Sequence, residues 1–375
     1  MRSSTSASLR YSSGCMRRRK SPQPAAAGEE KAAVASPRGA GIKGGVPEEG
    51  SSRPPFPATA WLRYAVSFGV LAWVGWQVAR GDVGGLRFLD WHALLPAVLL
   101  AGLAYPLQAW RWQMLLAAQG VPLSPVRAHV LFWIGNFYNS FLPGGIAGDA
   151  VRLVAAWREH PANKAAVAAS VVADRLLGLG ALLALAVLAL GGQLASAGAQ
   201  GGLKPLFLAS AGALVLLALG AFLLTHPAVW MATARQWLGA ERATSLRQAA
   251  EAMGRNRRTL LAASALSVAV WLLDFTALWL LAKSVRLAID PLAAAVAAAA
   301  AYVAAALPIS VGGHGIREGT LVMVLGWLGI GGESPDRVSL LALGFWLVST
   351  LWSLAGVAAV FAPRQWRGSN LPGGK

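Results

Sequence analysis

The chain has 375 residues, of which 56% are hydrophobic and 13% are charged, and its mean hydropathy is +0.52. Soluble globular proteins have roughly 45 to 50% apolar and about 25% charged residues, so most of this chain is expected to lie in lipid. The single cysteine excludes an intrachain disulfide, and the five histidines form no zinc motif. The net charge is +17, and the charged residues lie in the segments between apolar runs and form no single basic face. This pattern favours a membrane-orientation signal over a nucleic-acid binder.

Three regions differ in composition along the chain. Residues 1–60 carry ten Lys or Arg against four Glu and no apolar run, which predicts a disordered basic tail. Residues 61–361 form the predicted membrane domain, and residues 362–375 a short cytoplasmic tail. A transit peptide, or an extension in front of Met16, is the alternative for the first region, so its place in the mature protein stays open.

The apolar stretches predict an all-α, polytopic transmembrane protein. A helix needs roughly 20 apolar residues to cross about 30 Å of hydrocarbon. Stretches of that kind occupy residues 61–78, 93–115, 166–190, 206–224, 260–282, 291–307 and 340–361. Two shorter stretches, 130–142 and 320–330, each adjoin a cluster of Pro and Gly. We therefore expect about 7–8 spans, with one re-entrant helix, one broken helix and a possible internal repeat.

Basic loops predict the orientation. The loop 226–258 holds six Arg against two Glu, the tail after residue 361 is basic without acids, and so is the N-terminal region. Both termini are therefore expected in the cytoplasm. With this orientation, segment 130–142 begins and ends on the cytoplasmic side, as a re-entrant helix would. Segment 320–330 is expected to help the chain cross, as a broken span.

The two short segments share one device. Each contains Leu-Pro followed by a Gly-Gly pair: Pro143, Gly144 and Gly145 in the first, and Gly312 and Gly313 in the second. Proline and glycine stop a helix and leave backbone groups unpaired, which hydrocarbon tolerates only beside protein or a water-filled cavity. Interrupted segments in corresponding halves are typical of a transporter's binding site. Ordinary loops between helices are the alternative.

Polar residues cluster at the breaks. On a helix, Asn136 and Asn139 face the same side and lead into the first break. Asp149 and Arg152, three residues apart, can form an ion pair, although Asp149 could equally cap its helix. Glu318 falls in the first turn of a helix expected to begin near Ile316, where the helix dipole alone would favour an acid.

Asp174 and Arg175 lie inside an apolar run, where an ionisable side chain costs about 2.5 to 3.5 kcal/mol. Adjacent helical residues point in different directions, so each needs a partner from another segment. We expect Arg152 or Arg317 beside Asp174. For Arg175 the candidates are Asp149, Glu318 or the anionic headgroup of a ligand. A purely structural ion pair is the alternative.

Two further ionisable residues lie in apolar surroundings. Asp274 is a candidate proton or ion site, or it caps a helix or binds a neighbouring serine. Arg111 lies between Trp110 and Trp112, where it could bind phosphate or extend toward the lipid headgroups.

The order of these motifs resembles a known family. Arg111-Trp112, the run from Asn136 to Arg152, Asp174-Arg175 and the run from Pro308 to Glu318 resemble the lysylphosphatidylglycerol synthase transmembrane region. This is a flippase-like family of bacterial and archaeal inner-membrane proteins, and the likeness covers roughly residues 61–361. In its best-known members the region moves an aminoacylated phospholipid between leaflets and precedes a soluble aminoacyltransferase domain. We expect no such domain after residue 361, and no lipid lysylation by this chain alone.

The resemblance implies a stand-alone bacterial inner-membrane protein that translocates a lipid or lipid-linked amphiphile between leaflets. Its expected partners are membrane lipids and, as a possibility, separately encoded lipid-synthesis enzymes, with no cofactor, no metal and no nucleic acid. The expected substrate-binding residues are Arg111, Asn136, Asn139, Pro143, Gly144, Gly145, Asp149, Arg152, Asp174, Arg175, Gly312, Gly313, Arg317 and Glu318.

Two other function classes stay open. A lipid-modifying enzyme would use Asp149 or Asp174 as a base, but the sequence carries no nucleophile or metal motif, so we expect no enzyme. A non-catalytic partner of a lipid-synthesis complex is the third class. The chain has no nucleotide-binding loop, so transport would run down a gradient or be coupled to an ion, with Asp274 and Asp174 as proton-site candidates.

Overall fold

The computed structural model describes residues 69, 72, 76, 89–142, 147–197, 203–307, 310–332 and 334–360, and within them the regular structure is helical. Five of the described helices are long and apolar enough to cross a membrane, which confirms the polytopic all-α class. The predicted tails 1–60 and 362–375, most of span 61–78, and Pro143, Gly144 and Gly145 lie outside the described residues.

The predicted spans coincide with long helices. Spans 93–115, 166–190, 206–224 and 260–282 each lie within one helix, and 340–361 matches the last helix as far as Val360. In chain order the described helices are α1 Trp91–Ala118, α2 Pro125–Phe141, α3 Ala147–Glu159, α4 Lys164–Ala197, α5 Leu203–Thr225, α6 Pro227–Leu238, α7 Ala240–Arg255, α8 Arg257–Ser284, α9 Pro291–Ala305, α10 Ile316–Trp327 and α11 Pro335–Val360.

Local sequence explains where several helices begin. Asp90 accepts a hydrogen bond from His92 N at 3.0 Å and starts α1. Ser124 and Asp290 do the same for α2 and α9, and each is followed by proline at the first helical position. Short polar side chains satisfy amides that a helix leaves unpaired, and proline has no amide to satisfy there.

α1 and α8 are antiparallel and define two ends of the bundle. Asn256, before α8, donates to Ala118 O at 3.2 Å, which joins the end of α1 to the start of α8. Asp90 N donates to Ser284 O at 2.9 Å and joins the opposite termini. We call the end near Ala118 the first end and the end near Ser284 the second end.

α2 and α3 form a re-entrant hairpin, here called the first hairpin. α2 begins just after α1 at the first end, and an ion pair between Arg127 and Glu159 joins the beginning of α2 to the end of α3. Both limbs therefore return to the same end of the bundle. The re-entrant helix predicted at 130–142 is confirmed as one limb of this hairpin.

α9 and α10 form a second hairpin, which enters from the second end. α9 begins just after α8, and Arg337 donates to Arg286 O at 2.7 Å, which brings the start of α11, and with it the end of α10, to that end. α9 has 15 residues, or about 22 Å at 1.5 Å per residue. The expected break is present, but the prediction of a full span at 291–307 followed by a crossing at 320–330 needs correction. The two short helices fold back on each other.

The fold agrees with the predicted internal repeat. α1 to α4 and α8 to α11 each consist of a long helix, a hairpin and another long helix, with the hairpins entering from opposite ends. The packing follows the same order, because α2 lies against α11 and α9 lies against α4. Inverted repeats of this kind place corresponding segments near the middle of the bundle.

Candidate functional site

A cavity of about 510 Å³ lies in the middle of the bundle, between the two hairpins and α1, α4 and α8. Polar and charged side chains form a large part of its lining. Of the residues predicted from sequence, the lining includes Arg111, Asn136, Asn139, Asp149, Arg152, Asp174, Arg175, Gly312 and Arg317. Most of the described predicted site residues are therefore brought together.

The two hairpins touch at their tips. A Cβ atom on Gly312 would lie 2.7 Å from Ser140 O and 2.9 Å from Asn139 O, so only glycine permits this approach. Gly312 and Gly313 have φ of 58° and 80°, the positive values expected at a glycine break. Gly313 packs against Ala305, where an added Cβ would lie 2.7 Å from the alanine Cβ, and it does not line the cavity.

Five charged side chains form an alternating chain along one wall. Asp174 accepts from Arg111 Nε at 2.7 Å and from Arg152 Nη2 at 2.9 Å. Arg152 also contacts Asp149 at 3.0 Å, and Asp149 pairs in turn with Arg175. The predicted contacts of Asp174 with Arg152, of Asp149 with Arg152 and of Arg175 with Asp149 are confirmed. We call this set the arginine chain, and it begins and ends with arginine.

Arg111 is fixed inside the bundle. The residue is 5% exposed, and its Nη1 donates to Ser267 at 2.8 Å. Its guanidinium lies beside Gly178, where a Cβ would be 3.3 Å from Nη1, and Trp271 donates to Gly178 O at 2.7 Å. The alternative that Arg111 extends toward the headgroups is therefore wrong. Sequence reasoning missed Ser267, Gly178 and Trp271, which carry no charge to single them out.

Arg152 is the buried centre of the arginine chain. It is 3% exposed and lies over the ring of Trp112, 4.8 Å from the ring centroid. Its Nε has no hydrogen-bond partner among the described residues. A buried guanidinium with a donor left over has hydrogen-bonding capacity that the described side chains do not use.

Arg317 and Glu318 form a separate pair at the start of α10. Arg317 Nε donates to Glu318 at 2.8 Å, and Glu318 also accepts from Gly315 N at 2.7 Å. Glu318 is fully buried, and Arg317 Nη2 reaches Ser349 at 2.6 Å. The predicted alternatives, Arg317 beside Asp174 and Glu318 beside Arg175, are therefore not formed. The helix beginning at Ile316 with Glu318 in its first turn is confirmed.

The two asparagines satisfy groups around the first hairpin. Asn139 accepts from Gly148 N at 2.8 Å, which gives a partner to an amide at the start of α3. Asn136 donates to Ser353 on α11 at 3.3 Å, and Ser140 reaches the same hydroxyl at 2.7 Å. Asn139 thus supplies a partner to a backbone amide close to the break, and Ser353 is a further polar residue that the sequence did not single out.

Asp274 lines a smaller cavity of about 30 Å³. Tyr105, Tyr302 and Ser349 line both this cavity and the large one, so the two are neighbours with shared walls. Within the described part of the chain, Asp274 has no hydrogen bond or ion pair. Neither alternative, a helix cap or a bond to a serine, is formed.

Comparison with known proteins identifies the family. A family profile described as the lysylphosphatidylglycerol synthase TM region matches residues 60–356. None of the curated proteins matches this chain. The matched segment includes every residue that lines the two cavities. The chain therefore belongs to the lysylphosphatidylglycerol synthase TM region family.

Proposed function

We propose that this protein binds a lipid or lipid-linked amphiphile and moves it between the leaflets of a bacterial inner membrane. The observation that carries this proposal is the polar cavity at the meeting point of two hairpins from opposite ends of the bundle. A headgroup would occupy the cavity while its acyl chains stay in the surrounding lipid. The family is a membrane family named for a lipid synthase, which supports a lipid as the substrate class.

The dimensions of the cavity suit this role. Small-molecule pockets typically have about 300 to 1,000 Å³, and a volume of about 510 Å³ falls inside that range. Charged side chains inside a membrane cost free energy, so they are expected mainly where they line the path of a polar substrate group. A structural core would instead be filled by apolar side chains at nearly the same stability.

The inverted arrangement supplies a route for alternating access. In transporters built from inverted repeats, one repeat rocks against the other around a site near the midplane. Here the two hairpin tips meet in backbone contact between Gly312 and Ser140. Separation and closure of the tips would change which end of the bundle the cavity faces.

We assign the first end to the cytoplasm. α7 lies across that end, because Gln119 donates to Ala249 O at 2.9 Å. The segment from α6 to the start of α8 carries the six arginines of the basic loop. Basic loops stay on the cytoplasmic side in most inner-membrane proteins, which supports a cytoplasmic position for both termini.

We expect no covalent chemistry at this site. Asp149 and Asp174, the candidate bases, each accept hydrogen bonds or ion pairs from two arginines. A base needs a free lone pair within reach of the proton that it removes. A protein partner of separately encoded lipid-synthesis enzymes would need no polar cavity of this size, which favours translocation over that role.

The test is reconstitution of the purified protein into liposomes that carry a fluorescent lipid in both leaflets. A membrane-impermeant reductant bleaches the outer leaflet, and the inner leaflet follows only if lipid crosses. We expect bleaching of both leaflets with the protein and of about half the signal in empty liposomes. Thr276→Ala, on a residue of α8 whose hydroxyl bonds its own helix at Leu272 O, is a control that keeps the activity. A new lipid species would support the enzyme alternative. The absence of both lipid transfer and a new lipid species would support the partner role.

A further inference from the structure

The charges around the two cavities do not balance. Among the described residues, the large cavity and the groups behind it hold four arginines but three carboxylates: Arg111, Arg152, Arg175 and Arg317 against Asp149, Asp174 and Glu318. One positive charge is therefore in excess in a largely buried region. Each of these arginines contacts a carboxylate, and the Arg175 side chain is 52% exposed, so the excess charge is tolerated and makes the cavity attractive to a further negative charge.

Asp274 supplies that charge only when it is ionised. Its carboxyl lies in the adjoining cavity, without a hydrogen bond or ion pair in the described residues. Tyr105 of α1, Tyr302 of α9 and Arg317 of α10 are the titratable or charged groups that face it, and α11 presents Ser349. The charged groups of α4 that are nearest to it belong to the arginine chain. Asp274 is thus an unpaired carboxyl group beside a set of side chains with one excess positive charge.

One face of α8 connects Asp274 to the arginine chain. Ser267, Trp271 and Asp274 are spaced four and three residues apart, so they share a face of the helix. Ser267 holds Arg111, and seven residues of helix place Asp274 about 10 Å further along. If an anion in the cavity lies at a similar distance from Asp274, ionisation of that carboxyl changes the binding of the anion roughly tenfold at an effective dielectric constant of about 20.

We infer that the cavity binds an anionic phosphate group of the substrate and that this binding takes up a proton on Asp274. This inference rests on the proposed function, because it names the headgroup class for that same site. The accessible donor is Arg175, whose side chain is 52% exposed at one end of the arginine chain. When the anion is bound, its charge offsets the excess arginine and Asp274 is neutral. When the anion is absent, ionised Asp274 offsets the same charge. Binding of the anion and uptake of a proton by Asp274 are therefore thermodynamically linked.

The linkage has a direction that can be checked. Below the pH at which Asp274 ionises in the empty protein, the excess positive charge is exposed to the anion and binding is strong. At higher pH, ionised Asp274 competes with the anion, and binding weakens roughly tenfold. A zwitterionic headgroup brings no net charge, so its binding should depend little on the proton.

The experiment is titration calorimetry of the full-length protein in detergent. The ligands are short-chain phosphatidylglycerol, with one net negative charge, short-chain phosphatidylcholine and inorganic phosphate. Titrations in two buffers with different ionisation enthalpies give the number of protons taken up. For phosphatidylglycerol we expect uptake of about half a proton midway through the ionisation of Asp274, and affinity that falls roughly tenfold as pH rises through that range. Phosphatidylcholine should show neither effect.

Two variants test the assignment to Asp274. Asp274→Asn should bind phosphatidylglycerol tightly at each pH with no proton uptake, and Asp274→Glu should keep the uptake. Thr276→Ala is the matched control on the exposed side of α8. Thermal unfolding of each variant checks that it is folded, and if Asp274→Asn does not fold, Asp274→Ala takes its place because it also removes the carboxyl. Unchanged proton uptake in Asp274→Asn, or its loss in Asp274→Glu, would overturn the linkage.

The remaining outcomes distinguish lipid from soluble phosphate as the source of the anion, and the proton linkage from lipid translocation. If inorganic phosphate binds with the same proton uptake and excludes the lipid, the anion is soluble phosphate and the lipid assignment is overturned. If the liposome assay shows lipid transfer with equal rates for wild type and Asp274→Asn across pH, the linkage fails while translocation stands. If lipid neither binds nor crosses, the proposed function itself fails.

Discussion

Gly312 lies against Ser140 so closely that a Cβ atom would come within 2.7 Å of the serine carbonyl oxygen and 2.8 Å of its Cα. These residues belong to hairpins that enter from opposite ends of the bundle, and their sequence separation is large. The contact is therefore the point where two structurally corresponding segments meet. Because both sides of it are backbone, no side chain can move aside to make room.

Gly312→Ala is expected to separate the hairpin tips. The added methyl clashes with backbone, and the φ of 58° is strained for any residue with a Cβ. Overpacking of this kind lowers the unfolding free energy by about 1 to 3 kcal/mol. Thermal unfolding in detergent measures the loss of stability, and the liposome assay measures the expected loss of lipid transfer.

Gly326→Ala is the matched control for that variant. Gly326 lies in the same hairpin limb, α10, and a Cβ there would meet nothing within 4 Å. Replacement of glycine by alanine inside a helix stabilises by about 0.5 to 1 kcal/mol. Equal behaviour of the two variants would show that the tip contact is unimportant.

Gly148→Ala is expected to open the first hairpin. A Cβ at this position would lie 1.7 Å from Gly135 O and 2.8 Å from Asn139 Cγ. α2 and α3 must then move apart, and the hydrogen bond from Gly148 N to Asn139 is lost. We expect a lower unfolding temperature and reduced lipid transfer. Gly220→Ala in α5, where a Cβ meets nothing within 4 Å, should raise the unfolding temperature slightly and leave lipid transfer unchanged.

Much of the fold follows from the sequence because long apolar runs have few solutions in lipid. Five of the predicted spans and the first re-entrant segment were predictable from length and charge. The second hairpin was not, because α9 is followed by apolar residues and its composition suits a full span. Its 15-residue length, about 22 Å, shows in the structure as a limb that turns back. Apolar composition does not reveal which way a helix turns after a break.

The site was partly predictable for a related reason. Charges in lipid need partners, so the contacts of Asp174 with Arg152 and of Asp149 with Arg175 followed from charge and spacing. The pairing of Arg317 with Glu318 did not follow, since adjacent residues leave a helix in different directions. Arg317 lies at the start of α10, and its long side chain reaches the neighbouring carboxylate at 2.8 Å. Neutral site residues such as Ser267 could not be identified from the sequence, because only the packing of the helices brings them to the arginine chain.

Asp174→Asn is expected to destabilise the bundle strongly. The variant leaves the guanidinium groups of Arg111 and Arg152 without the carboxylate that both contact. Removal of one partner from a buried ion pair costs about 3 to 5 kcal/mol. Chemical or thermal unfolding in detergent measures the loss. Glu251→Gln, which affects the exposed pair with Arg247 on α7, is the control that should leave the transition unchanged.

The charge swap Asp174→Arg with Arg152→Asp should recover only part of that stability. Arg111 holds the other oxygen of Asp174 at 2.7 Å, so the swap places two positive groups side by side. Asp149, which contacts Arg152, would also face a new carboxylate. Full recovery of unfolding temperature and lipid transfer in the double variant would contradict a shared role for Arg111 and Asp149.

Labelling from outside the cell tests the orientation. The chain has one cysteine, so Cys15→Ser gives a background without thiols. Ser196→Cys introduces a thiol at the end of α4, which lies at the second end because a Cβ on Gly192 would be 3.3 Å from Leu292 of α9. Thr244→Cys introduces one on α7 at the first end, and both positions are exposed.

A membrane-impermeant maleimide added to intact spheroplasts should label the Ser196→Cys protein and leave the Thr244→Cys protein unlabelled until the membrane is permeabilised. The reason is the excess of arginine over glutamate between residues 226 and 258, which favours the cytoplasmic side for this segment. The reverse pattern would place the first end outside the cell, so the first hairpin would enter from the outer leaflet and the second hairpin from the inner leaflet.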